Sequence, residues 1–229
     1  MKRKATLIII FSLILAIILS GCASKNANNL SLQEEIKEKD MKISQLEVRI
    51  KDLESQLSDL TSAQKDLLPQ VIKVIRLIKD KDMNGLSSFV HPTKGIRFSP
   101  YDYIDIQADK VFTAEEVKGL LKDKQVYNWG NYDGSGEPID LNFNDYYNRF
   151  IYDEDFANPQ IIGNNMAIGE GNTINNVKEA YPNGYFIEFH FTGFEPEYAG
   201  IDWRSLKLVF EKAGEAWYLV GIVHGEWTI

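Results

Sequence analysis

The chain has 229 residues, 44% of them hydrophobic and 12% aromatic, with 25 Lys and Arg against 33 Asp and Glu, a formal net charge of −8. Acidity without a basic stripe excludes a phosphate-backbone binder, and it leaves hydrophobic or covalent attachment as the route to an anionic membrane. The apolar content excludes a disordered polymer, and the single cysteine excludes an intrachain disulfide or a cysteine-rich zinc site.

In chain order, Lys2-Arg3-Lys4 forms a positive leader and Ala5 to Ser20 an almost wholly apolar run. That run is shorter than the roughly 20 residues needed to span about 30 Å of hydrocarbon, so it reads as a secretory signal segment rather than a membrane helix. The alternative is an uncleaved signal anchor. Leu19-Ser20-Gly21-Cys22 resembles the lipobox of bacterial lipoproteins, where a small residue precedes a cysteine that is lipidated and becomes the first residue after cleavage. The resemblance implies removal of residues 1–21, acylation of Cys22, and an extracytoplasmic protein held at the outer face of the cell membrane by its lipid. More than one acyl chain is what makes such anchoring stable.

Residues 22–31 are small and polar, a flexible tether. A heptad then occupies 32–66, with Ile36, Ile43, Ile50 and Leu57 at a and Leu32, Leu46, Leu53 and Leu60 at d, interrupted by Lys39. Ile at a with Leu at d favours a parallel dimer, and Lys42 with Glu47 and Arg49 with Glu54 suit interchain pairs. The stalk so predicted is about 50 Å long. A lone helix, or one folded back on the remainder, is the competing expectation. Pro69 is expected to end the heptads and begin a new helix.

Residues 67–229 form the folded domain. Val71, Ile72, Val74, Ile75 and Ile78 trace a helix face, followed by a short helix near 86–90 and a strand at Gly95–Ser99. Thr113-Ala114-Glu115-Glu116 is a capping box opening another helix. Val126–Tyr132 reads as an aromatic strand stopping at Asp133-Gly134-Ser135-Gly136, and 143–152 as a helix with Tyr146, Tyr147 and Phe150 inward. The period then changes to two in 160–169, 185–191, 206–211 and 216–224. The fold class expected is α+β, with a curved antiparallel sheet covered by helices on one face.

This order resembles the SnoaL-like, cystatin-like fold of the nuclear transport factor two superfamily. The segments His91-Pro92 through Tyr101, Trp129-Gly130 through Pro138, and Trp217 through His224 resemble a domain of bacterial, mostly Gram-positive, surface lipoproteins. That domain type implies a fold and an address but carries no settled activity.

Candidate chemistry is sparse. Glu188 and His190 sit two apart on a strand and so share a face, as a general base and partner do. Because Tyr185, Ile187, Phe189 and Phe191 make the apolar face, the pair is expected on the outer, solvent- or partner-facing side. Asp133 to Glu137 superficially resembles the start of a calcium loop but lacks its later glycine and bidentate Glu, and reads as a glycine-rich turn. His91, His190 and His224 show no metal-ligand spacing, and no cofactor fingerprint is present. Trp129, Tyr132, Tyr146, Trp203, Trp217 and Trp227 suit a packed core or an aromatic pocket with Arg97, Tyr101, Asp102, His224 and Glu226 as polar groups. The expected function is recognition of a ligand or an envelope partner; the alternatives are an acid/base enzyme using the sheet cavity, with Glu188 and His190 or the Arg97 and His224 group, and a purely structural spacer.

Overall fold

The computed structural model describes residues 32–55 and 65–228 in full. The signal segment 1–21, Cys22, the tether 22–31, and heptad positions Leu57 and Leu60 lie outside those residues. The chain divides into two compact units, Met1–Ala63 and Gln64–Ile229. Helix α1 has the bounds Lys2–Lys79 and contributes to both.

In the first unit, Leu32, Ile36, Ile43, Leu46, Ile50 and Leu53 are all exposed, between 48% and 57%. The helix surface carries the local pairs Lys39–Glu35 at 2.6 Å and Arg49–Asp52 at 3.2 Å. Among the described residues, no helix is long and apolar enough to cross a membrane.

In the second unit, α1 runs through Pro69, contrary to the break expected there. The proline forfeits one backbone hydrogen bond and crowds the preceding turn. Its ring is exposed, however, while Leu67, Val71, Val74, Ile75 and Ile78 on the same helix are buried. Burial of that stripe, at about 25 cal/mol per Å², outweighs the local cost.

Helix α2 (Met83–Ser87) starts at Asp82, whose carboxylate accepts the Gly85 amide. Strands β1 (Ile96–Ser99) and β2 (Lys110–Phe112) follow, then α3 (Ala114–Gly119), opened by the expected capping box at Thr113 and Glu116. Strands β3 (Val126–Asn131) and β4 (Pro138–Asn142) form a separate hairpin leading into α4 (Phe143–Phe150). The chain finishes with β5 (Ile161–Asn164), α5 (Val177–Ala180), β6 (Tyr185–Phe191), β7 (Arg204–Ala213) and β8 (Ala216–Glu226). The result is mixed α and β, with a curved sheet in the order β2-β1-β8-β7-β6-β5. All its pairings are antiparallel except β1 on β8. That one parallel neighbour departs from the wholly antiparallel sheet expected, because β1 reaches β8 from the far end of the chain rather than through a hairpin.

Register sets two faces. One row runs Phe98, Ile222, Leu208, Ile187 across four strands. This face meets the helices: Phe98 packs edge-on against Phe143 and Tyr146, and Phe156 of the segment after α4 contacts Phe191. The opposite face carries Ser99, Val223, Lys207 and Glu188 in one row and Gly225, Ser205 and His190 in the next. It is not open to solvent. Ile104 and Val177 cover Phe186, Val209, Val220 and Val223, with Ala180 and Tyr181 packed alongside. The glycines of β8 allow this second layer to lie close. A Cβ on Gly221 would stand 2.7 Å from the Tyr181 hydroxyl, and one on Gly225 2.9 Å from the Asp102 carboxylate.

Candidate functional site

The second layer overturns the expectation for Glu188 and His190. They lie on the face away from the helices, yet Glu188 is 0% and His190 5% exposed, because the segments near Asp102 and Ile168 close over them. Both Glu188 oxygens accept backbone amides, from Ile168 and Gly169, at 2.9 Å each. Lys207, itself fully buried, donates to Asp102 at 2.5 Å and sits 3.6 Å from Glu188. Burial holds the His190 imidazole below its usual pKa, with Glu188 pulling the other way. Burial likewise raises Asp102 despite Lys207 beside it. His190 Nδ1 has no hydrogen-bond partner and stands 3.7 Å from Glu188. A charge cluster buried in this way ties the covering layer to the sheet.

His224 and Glu226, expected at a pocket rim, lie instead on the helix-facing side. His224 Nε2 meets Asp153 at 3.1 Å, and its ring stands edge-on to Phe150. Glu226 accepts from Arg149 at 2.5 Å, and Arg204 lies 3.3 Å from both Asp153 and Glu226. For Asp153, burial pushes the pKa up, but His224 and Arg204 prevail and hold it below the ordinary carboxylate value. Arg97 is not a rim group either. Its guanidinium donates to the carbonyls of Asp105, Ile106 and Asp109 at 3.4, 3.0 and 3.1 Å.

Those carbonyls belong to one wall of a cleft of about 860 Å³, within the range of small-molecule sites. The wall spans 100–109. Arg97 holds it from below, and Asn176 clamps it by exchanging two hydrogen bonds with the Ile104 backbone at 2.8 and 3.0 Å. Asp105 caps the Gln107 and Ala108 amides, while Asp109 accepts from the Ser99 hydroxyl and the Asp105 amide.

The second wall is the β3–β4 hairpin. Its turn is closed by the Gly136 amide on the Tyr132 carbonyl at 2.9 Å, with Gly134 and Gly136 at φ of 83° and 71°. These positive values are why glycine stands there, and the segment is a turn, as expected. Trp129 is 1% exposed, stacked on Tyr146 at 3.8 Å, and donates to the Leu141 carbonyl. The third wall is 172–174. Asn172 and Thr173 bond to Thr228, and Thr173 reaches Asp133, whose amide donates to the Tyr101 hydroxyl.

Of the pocket residues expected from sequence, the cleft therefore gathers Tyr101 and Trp129, with Tyr132 beside them, and leaves out Arg97, Asp102, His224 and Glu226. Cys22 lies outside the described residues. Tyr103, Asp105, Asp109, Asn131 and Thr173 were not legible as site residues, and Asp133 was read only as part of a turn, because the cleft forms where segments remote in sequence meet. Lys207 did leave a trace: a lysine inside the run Leu206 to Phe210.

Asp109 of the cleft and Tyr146 behind Trp129 carry testable consequences. Burial pushes Asp109 up to about 6, against the pull of the Ser99 hydroxyl and Arg97. Because its folded pKa exceeds the unfolded one, Asp109 costs stability as pH rises from the ordinary carboxylate range through about 6. Asp109→Asn is expected to raise stability at neutral pH by about 1 kcal/mol, and to flatten the stability profile over that window in urea titrations at several pH values. The Tyr146 hydroxyl is buried without a partner. Tyr146→Phe is expected to hold or raise stability by up to about 1 kcal/mol in the same assay, since an unsatisfied polar group is removed.

No family model, curated protein or solved structure matches the chain. The class of protein is accordingly defined by its architecture: a mixed α and β unit with a buried charge cluster and an open aromatic and acidic cleft.

Proposed function

We propose that the chain is an extracytoplasmic lipoprotein, anchored through acylated Cys22, whose SnoaL-like, cystatin-like unit binds a ligand non-catalytically on a dimeric coiled-coil stalk. The observation that carries the binding role is the cleft at 100–109, 128–136 and 172–174, whose walls are tied to one another by side-chain hydrogen bonds. Pre-formed walls lower the ordering cost of binding. The enzymatic alternative would use Glu188 and His190 or the Arg97 and His224 group, and none of these lines this cleft.

The stalk rests on the exposed stripe of Leu32, Ile36, Ile43, Leu46, Ile50 and Leu53, which a second copy would bury. Sedimentation equilibrium of residues 23–229 is expected to give a dimer, and Leu46→Lys a monomer; a wild-type monomer at tens of micromolar defeats the dimer. Fatty-acid labelling of cells should mark the wild type and not Cys22→Ala. Label surviving that change defeats the anchor. Ligand screening by NMR tests the binding role, which falls if the shifts cluster outside the three cleft segments.

A further inference from the structure

The cleft's lining includes Asp105, Asp109 and Asp133, the rings of Tyr101, Tyr103 and Tyr132, and the amides of Asn128, Asn131 and Asn172, with no Lys, Arg or His among the lining residues. Resting on the ligand-binding reading above, we propose that this cleft binds a small organic cation, a protonated amine or quaternary ammonium group, by its carboxylates and tyrosine faces.

Three considerations select that class. Carboxylates without a lining cation repel anions and attract positive charge. A bare metal ion needs oxygen ligands converging within about 2.6 Å, and among the described residues no group of three or more His, Cys, Asp or Glu could hold one. A quaternary ammonium spreads its charge over the carbons on its nitrogen and a protonated amine carries several N–H donors, so either reads separated carboxylates together with ring faces within about 6 Å. Tyr103 supplies such a face: it is 54% exposed and makes no ring contact among the described residues.

The lining also brings no cation of its own to these carboxylates. Arg97, the cation acting on Asp109 from outside the lining, gives its donors to three backbone carbonyls, and burial keeps the Asp109 pKa raised against its pull. The groups facing Asp109 are Arg97 and Ser99 on β1, Asp105 in its own loop, Tyr146 on α4, and Tyr181 after α5. Tyr146, behind the lining residues, is fully buried with an unpartnered hydroxyl that feels both Asp109 and Tyr101. A neutral polyol would bond to the amides but leave this negative charge unanswered; a cation answers it.

The test is calorimetric titration of the purified protein with choline and with 3,3-dimethylbutan-1-ol, which replaces the ammonium nitrogen by carbon at the same shape. Choline is expected to bind at least about tenfold more tightly than the neutral isostere. Asp105→Asn and Asp133→Asn are each expected to weaken choline several-fold. Both keep the carbonyl oxygen that accepts the loop amides, and an unchanged urea midpoint establishes that each variant is folded. Binding should also weaken as pH falls through about 6 and Asp109 takes up its proton. Nα-acetyl-lysine amide in place of choline separates the sources: tighter binding of it assigns the cation to a peptide side chain, weaker binding to a free quaternary amine.

Equal affinity for choline and its isostere overturns the proposal, as does displacement of choline by submillimolar calcium. Binding of methyl β-glucoside where choline fails overturns the cation and leaves the ligand-binding reading standing. If none of these compounds binds at about 10 mM, weaker than any useful recognition, both fall.

Discussion

Replacing Lys207 with methionine is expected to destabilise the folded unit by about 3–5 kcal/mol, because it leaves buried carboxylates without their counter-charge. Lys207 is fully buried, 2.5 Å from Asp102 and 3.6 Å from Glu188. The methionine fills nearly the same volume, so the loss reports charge rather than a cavity. It should be smaller in mildly acidic urea titrations than at pH 8, since Asp102, already raised by burial, then takes up a proton more readily. Adding Asp102→Asn to Lys207→Met should recover part of the loss, with a coupling above about 1 kcal/mol in the double-mutant cycle. A loss under about 1 kcal/mol that does not vary with pH would show that water reaches the cluster and that the covering layer is not closed.

Trp129→Ala should cost a similar amount, about 3–5 kcal/mol, for a different reason. The indole is 1% exposed, lies 3.8 Å from the Tyr146 ring, and donates to the Leu141 carbonyl across the hairpin. Its removal opens a cavity among Phe98, Phe112, Phe143 and Tyr146 and takes away the tie between β3 and β4. The loss should not vary with pH, unlike that at Lys207. Tyr146→Phe at the other half of the same stack is expected to be neutral or stabilising, so the pair separates ring packing from hydroxyl chemistry. A drop of several kcal/mol for Tyr146→Phe would mean that the hydroxyl has a partner.

Much of the element order could be read along the chain because it depends on neighbours. The Thr113–Glu116 capping box, the glycine turn at 133–136, the inward face of α4 and the alternation of β6 are each set within a few residues. The short strands β2 and β4 had too little periodicity to register, and Pro69 misled because its local penalty was weighed without the buried stripe around it. Arg97 misled in a similar way. An arginine on a short strand suits a rim, yet its donors turn to three carbonyls eight to twelve residues on.

By itself, the sequence determined the alternation that puts Glu188 and His190 opposite the helix-facing side, the acidic charge, and the apolar stripe of the heptads. Only the tertiary structure decided that this second face is covered, since Asp102 reaches Lys207 across 105 positions of chain. The same holds for the cleft, whose walls come from segments as far apart as 100–109 and 172–174. Side-chain period reports which way a residue points. Whether that direction meets water, a loop or a ligand depends on segments that arrive from elsewhere, and the free energy of a buried charge follows from that arrival.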